Sequence, residues 1–149
     1  MPRIWARLCA QNLGALLRTA EATGVEGVLI PSRRSCSITP TVVKASAGGA
    51  IHLQISRIGN VVQALEELKG LGFWVVGLDM QGDHSMDEID AGGPTVVVVG
   101  GEHQGLRKVV RKHCDFLVSL PMKGKVSSLN LSVAAGVLLY EIVRKRMKS

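Results

Sequence analysis

Residues 73–100 read "FWVVGLDMQGDHSMDEIDAGGPTVVVVG", two apolar runs separated by a polar, glycine-bearing interval. Neither run alternates polar with apolar positions. "FWVVGL" and "TVVVVG" are nearly continuous, as expected of strands covered on both faces of a parallel sheet. Helical patterns flank them at short intervals. Before the first run, "NVVQALEELKGLG" is an amphipathic helix capped by Asn60 and ended by Gly70. After the second, "QGLRKVVRKHC" reads as a helix and "DFLVSL" as another strand. The alternation gives the fold class α/β.

The rest of the chain extends the pattern. Asn12 to Thr23 reads as a helix, with Leu13, Leu16, Leu17 and Ala20 on one face and Gly24 as its stop. "GVEGVLI" turns into a short strand. Thr39-Pro40 opens a helix through Ala47, closed by Gly48-Gly49, and "IHLQI" follows as a strand. The expected architecture is one doubly covered parallel sheet of roughly five or six strands in one domain, residues 1–149. In such sheets ligands gather at the carboxyl ends of strands. Three loops lie there: "DMQGDHSMDEIDAGG", "GGEHQG" and "PMKGKVSS".

The 149 residues are 46% hydrophobic and 20% charged, a globular composition. Eighteen Lys+Arg against 12 Asp+Glu leave a formal charge of +6, which favours a polyanionic partner. Aromatic residues are only 3%, which argues against a base-stacking platform for single strands. Cys9, Cys36 and Cys114 are far apart and form no Cys-x-x-Cys pair, so neither a zinc ribbon nor a disulfide framework is supported. A cytoplasmic protein is expected, with no metal and no membrane segment. "TVVVVG" is far short of a span, and "MPRIWARLCAQN" lacks the apolar core of a signal peptide.

"VVVVGGEHQGLRK" has the strand, glycine turn and helix of a phosphate loop, but Leu106-Arg107 stands where Lys-Ser/Thr is required. No strand leads into Gly-x-Gly-x-x-Gly, so a dinucleotide fold is not supported. Glu102, just after two glycines and ahead of a helix, is placed to orient groups at the helix N-terminus. Gly14, inside a helix, implies close approach of another backbone, and together with Ala134-Ala135-Gly136 it points to close helix packing. His103 and His113 read as solvated helix residues.

The last helix carries a surplus of polar groups where it begins, "KVSSLNLSVAAG". Ser127 or Ser128 suffices as a cap. Asn130 shares a face with Ala134 and Val137 and should point into packed material, where an unsatisfied polar group costs about 1–3 kcal/mol. The surplus therefore implies a ligand or a catalytic side chain to hold.

"NLGALLRTA", "VVVVGGEHQGLR" and "LPMKGKVSSLNLSVAAGVLLYE" together resemble the three signature motifs of the SpoU-type RNA 2′-O-ribose methyltransferases, in order, and the resemblance covers essentially the whole chain. It implies an S-adenosylmethionine-dependent enzyme acting on RNA, tRNA or rRNA. It also implies a homodimer and a C-terminal trefoil knot, an exception to the rule against knots. The positions matching the family's polar active site are Asn12, Arg18, Glu102, Ser128 and Asn130. Gly100, Gly101, Leu120, Met122 and Leu129 match its cofactor positions. Cys9-Ala10 stands where the family usually has Asp-Pro.

The family proposal makes Arg18 the base for the ribose hydroxyl; a charged guanidinium can instead clamp the neighbouring phosphate. The alternative is a non-catalytic RNA-binding domain of the same fold. A third class, a small-molecule-binding α/β protein, would show no dependence on RNA.

Overall fold

The computed structural model describes residues 4–7, 13–32, 37–100 and 105–148, the first of these as backbone only. Six strands form one parallel sheet: β1 (Ile4–Arg7), β2 (Gly27–Pro31), β3 (Gln54–Ile58), β4 (Trp74–Leu78), β5 (Thr95–Val99) and β6 (Phe116–Val118), in the order β3-β2-β1-β5-β4-β6. The helices are α1 (Leu13–Ala22), α2 (Pro40–Ala45), α3 (Gly49–His52), α4 (Val61–Gly70), α5 (Lys108–Lys112) and α6 (Leu131–Lys148).

The continuous apolar runs are strands buried on both faces, as the pattern predicts. Val76, Leu78, Val97 and Val99 enter a core with Leu16 and Leu17 of α1 and Leu138, Leu139 and Ile142 of α6. Val75, Val96 and Val98 point the other way, into a second core with Leu65 of α4, Phe73, Leu106 and Val110 of α5. Leu106, the residue that spoils the phosphate-loop pattern, is 5% exposed and serves as an apolar anchor there.

Local chemistry sets the boundaries. Asn60 caps α4 by accepting the Gln63 N–H at 3.1 Å. Gly24, at φ +76°, ends α1 in the left-handed conformation that favours glycine.

Three boundaries differ from expectation. The helix opened by Thr39 stops at Ala45, because Ser46 Oγ donates to Val43 O and accepts the Ala50 N–H, splicing in a second short helix. Ile51 and His52 belong to that helix, with Ile51 75% exposed, so the strand begins at Gln54. Finally, α5 is only five residues long, beginning after Arg107.

Gly14 and Gly49 let α1 pack on α2 and α3. A methyl group at Gly14 would overlap Ala45 Cβ and come within 2.9 Å of Val42 O, and one at Gly49 would lie 3.3 Å from Glu21 Cβ. Ala134 and Ala135 are buried in the main core, and a methyl group at Gly136 would lie 3.3 Å from Thr19 Cγ2. These small residues pack the chain against itself. Gly136 alone among them also faces outward, being half-buried rather than buried.

Candidate active site

Three strands end side by side and deliver their following residues to one place. The Asp79 N–H donates to Val118 O at 2.9 Å, fastening the end of β4 to the end of β6. The segment beyond stays attached: the His84 N–H donates to Leu117 O and the Ser119 N–H to His84 O. Gly82 is required by this closeness, since a methyl group there would stand 2.5 Å from Leu117 O.

Gly100, the buried residue ending β5, meets the backbone of Gly105, whose carbonyl a methyl group at Gly100 would overlap. Gly105 itself sits at φ +62°, with Asp79 Oδ2 3.7 Å from the position of its missing Cβ. The result is a backbone cradle with a carboxylate beside it. Asp79 is 8% exposed, accepts the Gln81 N–H at 2.8 Å and faces Arg111 Nη1 at 3.6 Å.

Of the residues expected from the sequence, Gly100 and Leu120 (5% exposed) lie at these strand ends, Met122 is half-buried, and Leu129 is 41% exposed. Arg18, Ser128 and Asn130 are exposed. Arg18 makes no hydrogen bond or ion pair with Ser128 or Asn130. Asn12, Gly101 and Glu102 lie outside the described residues, as do Cys9-Ala10, Cys36 and His103.

The start of the last helix corrects two expectations. Asn130, not Ser127 or Ser128, occupies the capping position: its Oδ1 accepts the Ser132 N–H at 3.0 Å and the Ser132 hydroxyl at 2.5 Å, and its carbonyl accepts the Ala134 N–H. It is exposed rather than turned into packed material, because the helix begins only at Leu131 and residues 123–130 run over the surface. The surplus polar groups thus line an open face and carry no burial penalty.

His113 is not simply solvated. Its Nδ1 lies 2.7 Å from Val109 O and its Nε2 3.3 Å from Glu66 Oε1, joining α5 to α4. Asp79 and Gly82 escaped the sequence reading, although both fall in a loop it placed at the site. The available signal was an aspartate directly after a buried strand, a position where an unpaired carboxylate is costly. Among the described residues no cluster of three or more His, Cys, Asp or Glu side chains could hold a metal, and no helix is long and apolar enough to cross a membrane.

A second feature lies on the outer side of α1 and α6. A groove of about 610 Å³ runs between Ala15 and Thr19 on one helix and Val133, Gly136, Val137 and Tyr140 on the other. Val133, Val137 and Tyr140 are 52%, 41% and 54% exposed, an apolar stripe without cover. Glu141 and Arg144 also line it; the guanidinium donates to both carboxylate oxygens and holds the Glu141 carboxyl below the usual carboxylate range.

Residues 9–140 match the SpoU rRNA methylase family. The 23S rRNA (guanosine-2'-O-)-methyltransferase RlmB of Pseudomonas aeruginosa is 47% identical over 135 residues, which make up 91% of this chain and 54% of that protein. The chain thus spans about half the length of the curated relatives it matches. Among solved structures, the SpoU methyltransferase AviRb from Streptomyces viridochromogenes in complex with AdoMet aligns with a TM-score of 0.87 at 29% identity. That alignment covers 100% of this chain and 61% of AviRb. A structure described as giving insight into 2-OH methylation of C/U34 on tRNA aligns at 0.83 with 25% identity, covering 100% of both chains.

Proposed function

The chain belongs to the SpoU rRNA methylase family, and we propose that it methylates a ribose 2′-hydroxyl of structured RNA, tRNA or rRNA, with S-adenosylmethionine as donor. The observation that carries this reading is the Gly100–Gly105 cradle at the carboxyl end of β5, where the two backbones meet so closely that a Cβ on Gly100 would overlap the Gly105 carbonyl. Bare backbone at a strand end suits a flat nucleoside, which needs amide groups at close range more than side chains. Leu120, Met122 and Leu129 supply apolar contact from the next loop, and Gly101 is a further proposed cofactor residue.

When bound, S-adenosylmethionine supplies a methyl group on a positively charged sulfur. The chain's own task is to hold the ribose hydroxyl in line with it, and such positioning accounts for a large part of catalysis. In this proposal Arg18 clamps the phosphate beside the target ribose. Ser128 and Asn130 orient the hydroxyl, and Asn12 and Glu102 complete the polar set. Lys123 and Lys125, both exposed on the loop after β6, take further phosphates. Their attraction, with the formal charge of +6, should weaken as salt rises and counterion release loses its advantage.

The proposal includes a cytoplasmic homodimer and a C-terminal trefoil knot. The uncovered Val133–Val137–Tyr140 stripe is the surface that favours a second copy; an apolar patch of this kind marks an interaction site more often than a solvent face. For the knot, the support is that the β4–β5 connection pairs with β6 on one side and contacts the end of α6 on the other.

The test is methyl transfer from labelled S-adenosylmethionine to unmodified tRNA and rRNA transcripts. The expected product is an alkali-resistant phosphodiester at one nucleotide, abolished by 2′-deoxy substitution there. RNA binding without transfer would favour the non-catalytic alternative, and methyl on a base would overturn the ribose assignment.

A further inference from the structure

Lys145 and Arg146, near the end of α6, clasp the backbone of the β4–β5 connection. The Lys145 ammonium donates to Met86 O at 2.7 Å, Asp87 O at 2.7 Å and Ile89 O at 2.9 Å. An ammonium has three donors, so these three carbonyls can take all of them. Arg146 donates from Nε to Ala91 O and from Nη2 to Gly93 O, both at 2.8 Å.

The clasped segment needs such partners. Apart from the single turn Met86–Glu88 it has no regular structure, yet Ile89 and Ala91 are buried at 4% and 5% exposure. Met86 O also accepts the Ile89 N–H and Gly93 O the Thr95 hydroxyl, but the carbonyls of Ile89 and Ala91, drawn in with their buried side chains, are met by the two cations, and burying them unpaired would be costly. A solvated basic tail would have no reason to end here. The two cations sit on the one helix that begins, at Asn130, in the candidate site.

The clasp is continuous with that site. Ser85 and Glu88 close a capping box on the turn, and the Ser85 N–H donates to Glu88 Oε2 at 3.1 Å. His84, the preceding residue, exchanges hydrogen bonds with Leu117 and Ser119, just ahead of Leu120. Asp79 and Gly82 lie at the other end of the same short stretch. We infer that Lys145, seconded by Arg146, is a positioning residue: it holds the connection so that Asp79–Gly82 and Leu120 stand in cofactor-binding register. The inference rests on the methyltransferase reading for its ligand but not for its geometry.

The test compares wild-type protein with Lys145→Met, the milder Lys145→Gln, and Lys148→Met as a control on the same exposed helix end. Amide hydrogen exchange of the ligand-free proteins reads the geometry. Exchange across residues 79–91 should quicken in both Lys145 variants and stay unchanged in Lys148→Met. Calorimetry with S-adenosylmethionine reads the consequence. If the binding-competent arrangement falls to about a tenth of the population, the apparent Kd rises about tenfold. Turnover at saturating cofactor should then stay within about twofold of wild type, since the reacting groups are untouched. Unchanged exchange would overturn the inference, and so would faster exchange with an unchanged Kd, which would make the clasp a stability device alone. Wild-type protein that binds no S-adenosylmethionine would count against the proposed function, while exchange would still decide whether the clasp orders residues 79–84.

Discussion

Gly100 and Gly105 lie backbone against backbone, close enough that a methyl group on the first would overlap the carbonyl of the second. The contact fixes the end of β5 against the backbone just ahead of Leu106 and leaves no room for a side chain at Gly100. Gly100→Ala must push the two segments apart, an overpacking of roughly 1–3 kcal/mol. If that displacement falls on the cradle, S-adenosylmethionine affinity drops by about 10–100-fold. Calorimetry on the folded variant checks this, and unchanged affinity would remove the cradle from the cofactor site.

Asn130 has two duties that one pair of variants separates. Its Oδ1 caps α6, and its exposed position belongs to the proposed catalytic set. Asn130→Ala removes both and should lower stability by about 1 kcal/mol as well as turnover. Asn130→Asp keeps an acceptor for the Ser132 N–H, so thermal stability should stay near wild type while methyl transfer falls. Full activity in Asn130→Asp would leave the residue as a cap alone.

The fold was legible because burial on both faces leaves a signature. Val96–Val99 can be nothing but a covered strand, and Gly24, Asn60 and Gly70 punctuate the helices beside such strands. The Ile51–Ile55 segment misled because Ile51 is exposed; its apolar character reflects no burial in the described structure. For the site, Gly100 and Leu120 fell where the strand-end rule puts them. Asp79 did not announce itself, because its importance comes from Gly105 and Arg111, neighbours distant in sequence. The Lys145 clasp was hidden for the same reason. Its partners are backbone carbonyls, which no side-chain pattern records.

Burial pushes the Cys114 thiol up to about 11 from 9.0; Lys69 opposes the rise, and Asp115 and Asp79 add to it. The folded state therefore favours the protonated thiol. Its contribution to stability is intact below about pH 9 and is lost as pH rises through about 11. Native Cys114 should alkylate slowly at pH 8, as mapped by peptide mass spectrometry, and rapidly once the chain unfolds. Cys114→Ala should flatten the fall in denaturation midpoint between pH 9 and 11. A native rate equal to that of the unfolded chain would contradict this burial.

Val137 tests the proposed dimer. It lines the groove between α1 and α6 at 41% exposure and packs in neither core, so Val137→Asp should leave the protomer folded. A carboxylate buried in an apolar contact without a partner costs several kcal/mol, enough to dissociate a pair that relies on this stripe. Analytical ultracentrifugation should show a wild-type dimer and a variant monomer. A wild-type monomer with full activity would dismiss the second copy.

Arg18 bears the sharpest prediction. Its side chain is exposed on α1, a helix whose backbone is fixed against its neighbours through Gly14 and Gly49, so the charged end starts from a set position and is open to a ligand. If it acts on the nucleophile or the adjoining phosphate, Arg18→Ala should reduce methyl transfer by about 10²–10³-fold, the usual effect of deleting one stabilising donor. Affinity for S-adenosylmethionine should barely move, because the cradle is made by other elements. Arg18→Lys then distinguishes two roles. Lysine keeps the charge but loses the planar fork, so a bidentate phosphate clamp fails in both variants, whereas a purely electrostatic role is partly rescued. Normal turnover in Arg18→Ala would remove Arg18 from the mechanism. A parallel loss of cofactor binding would place Arg18 in the wrong half of the site.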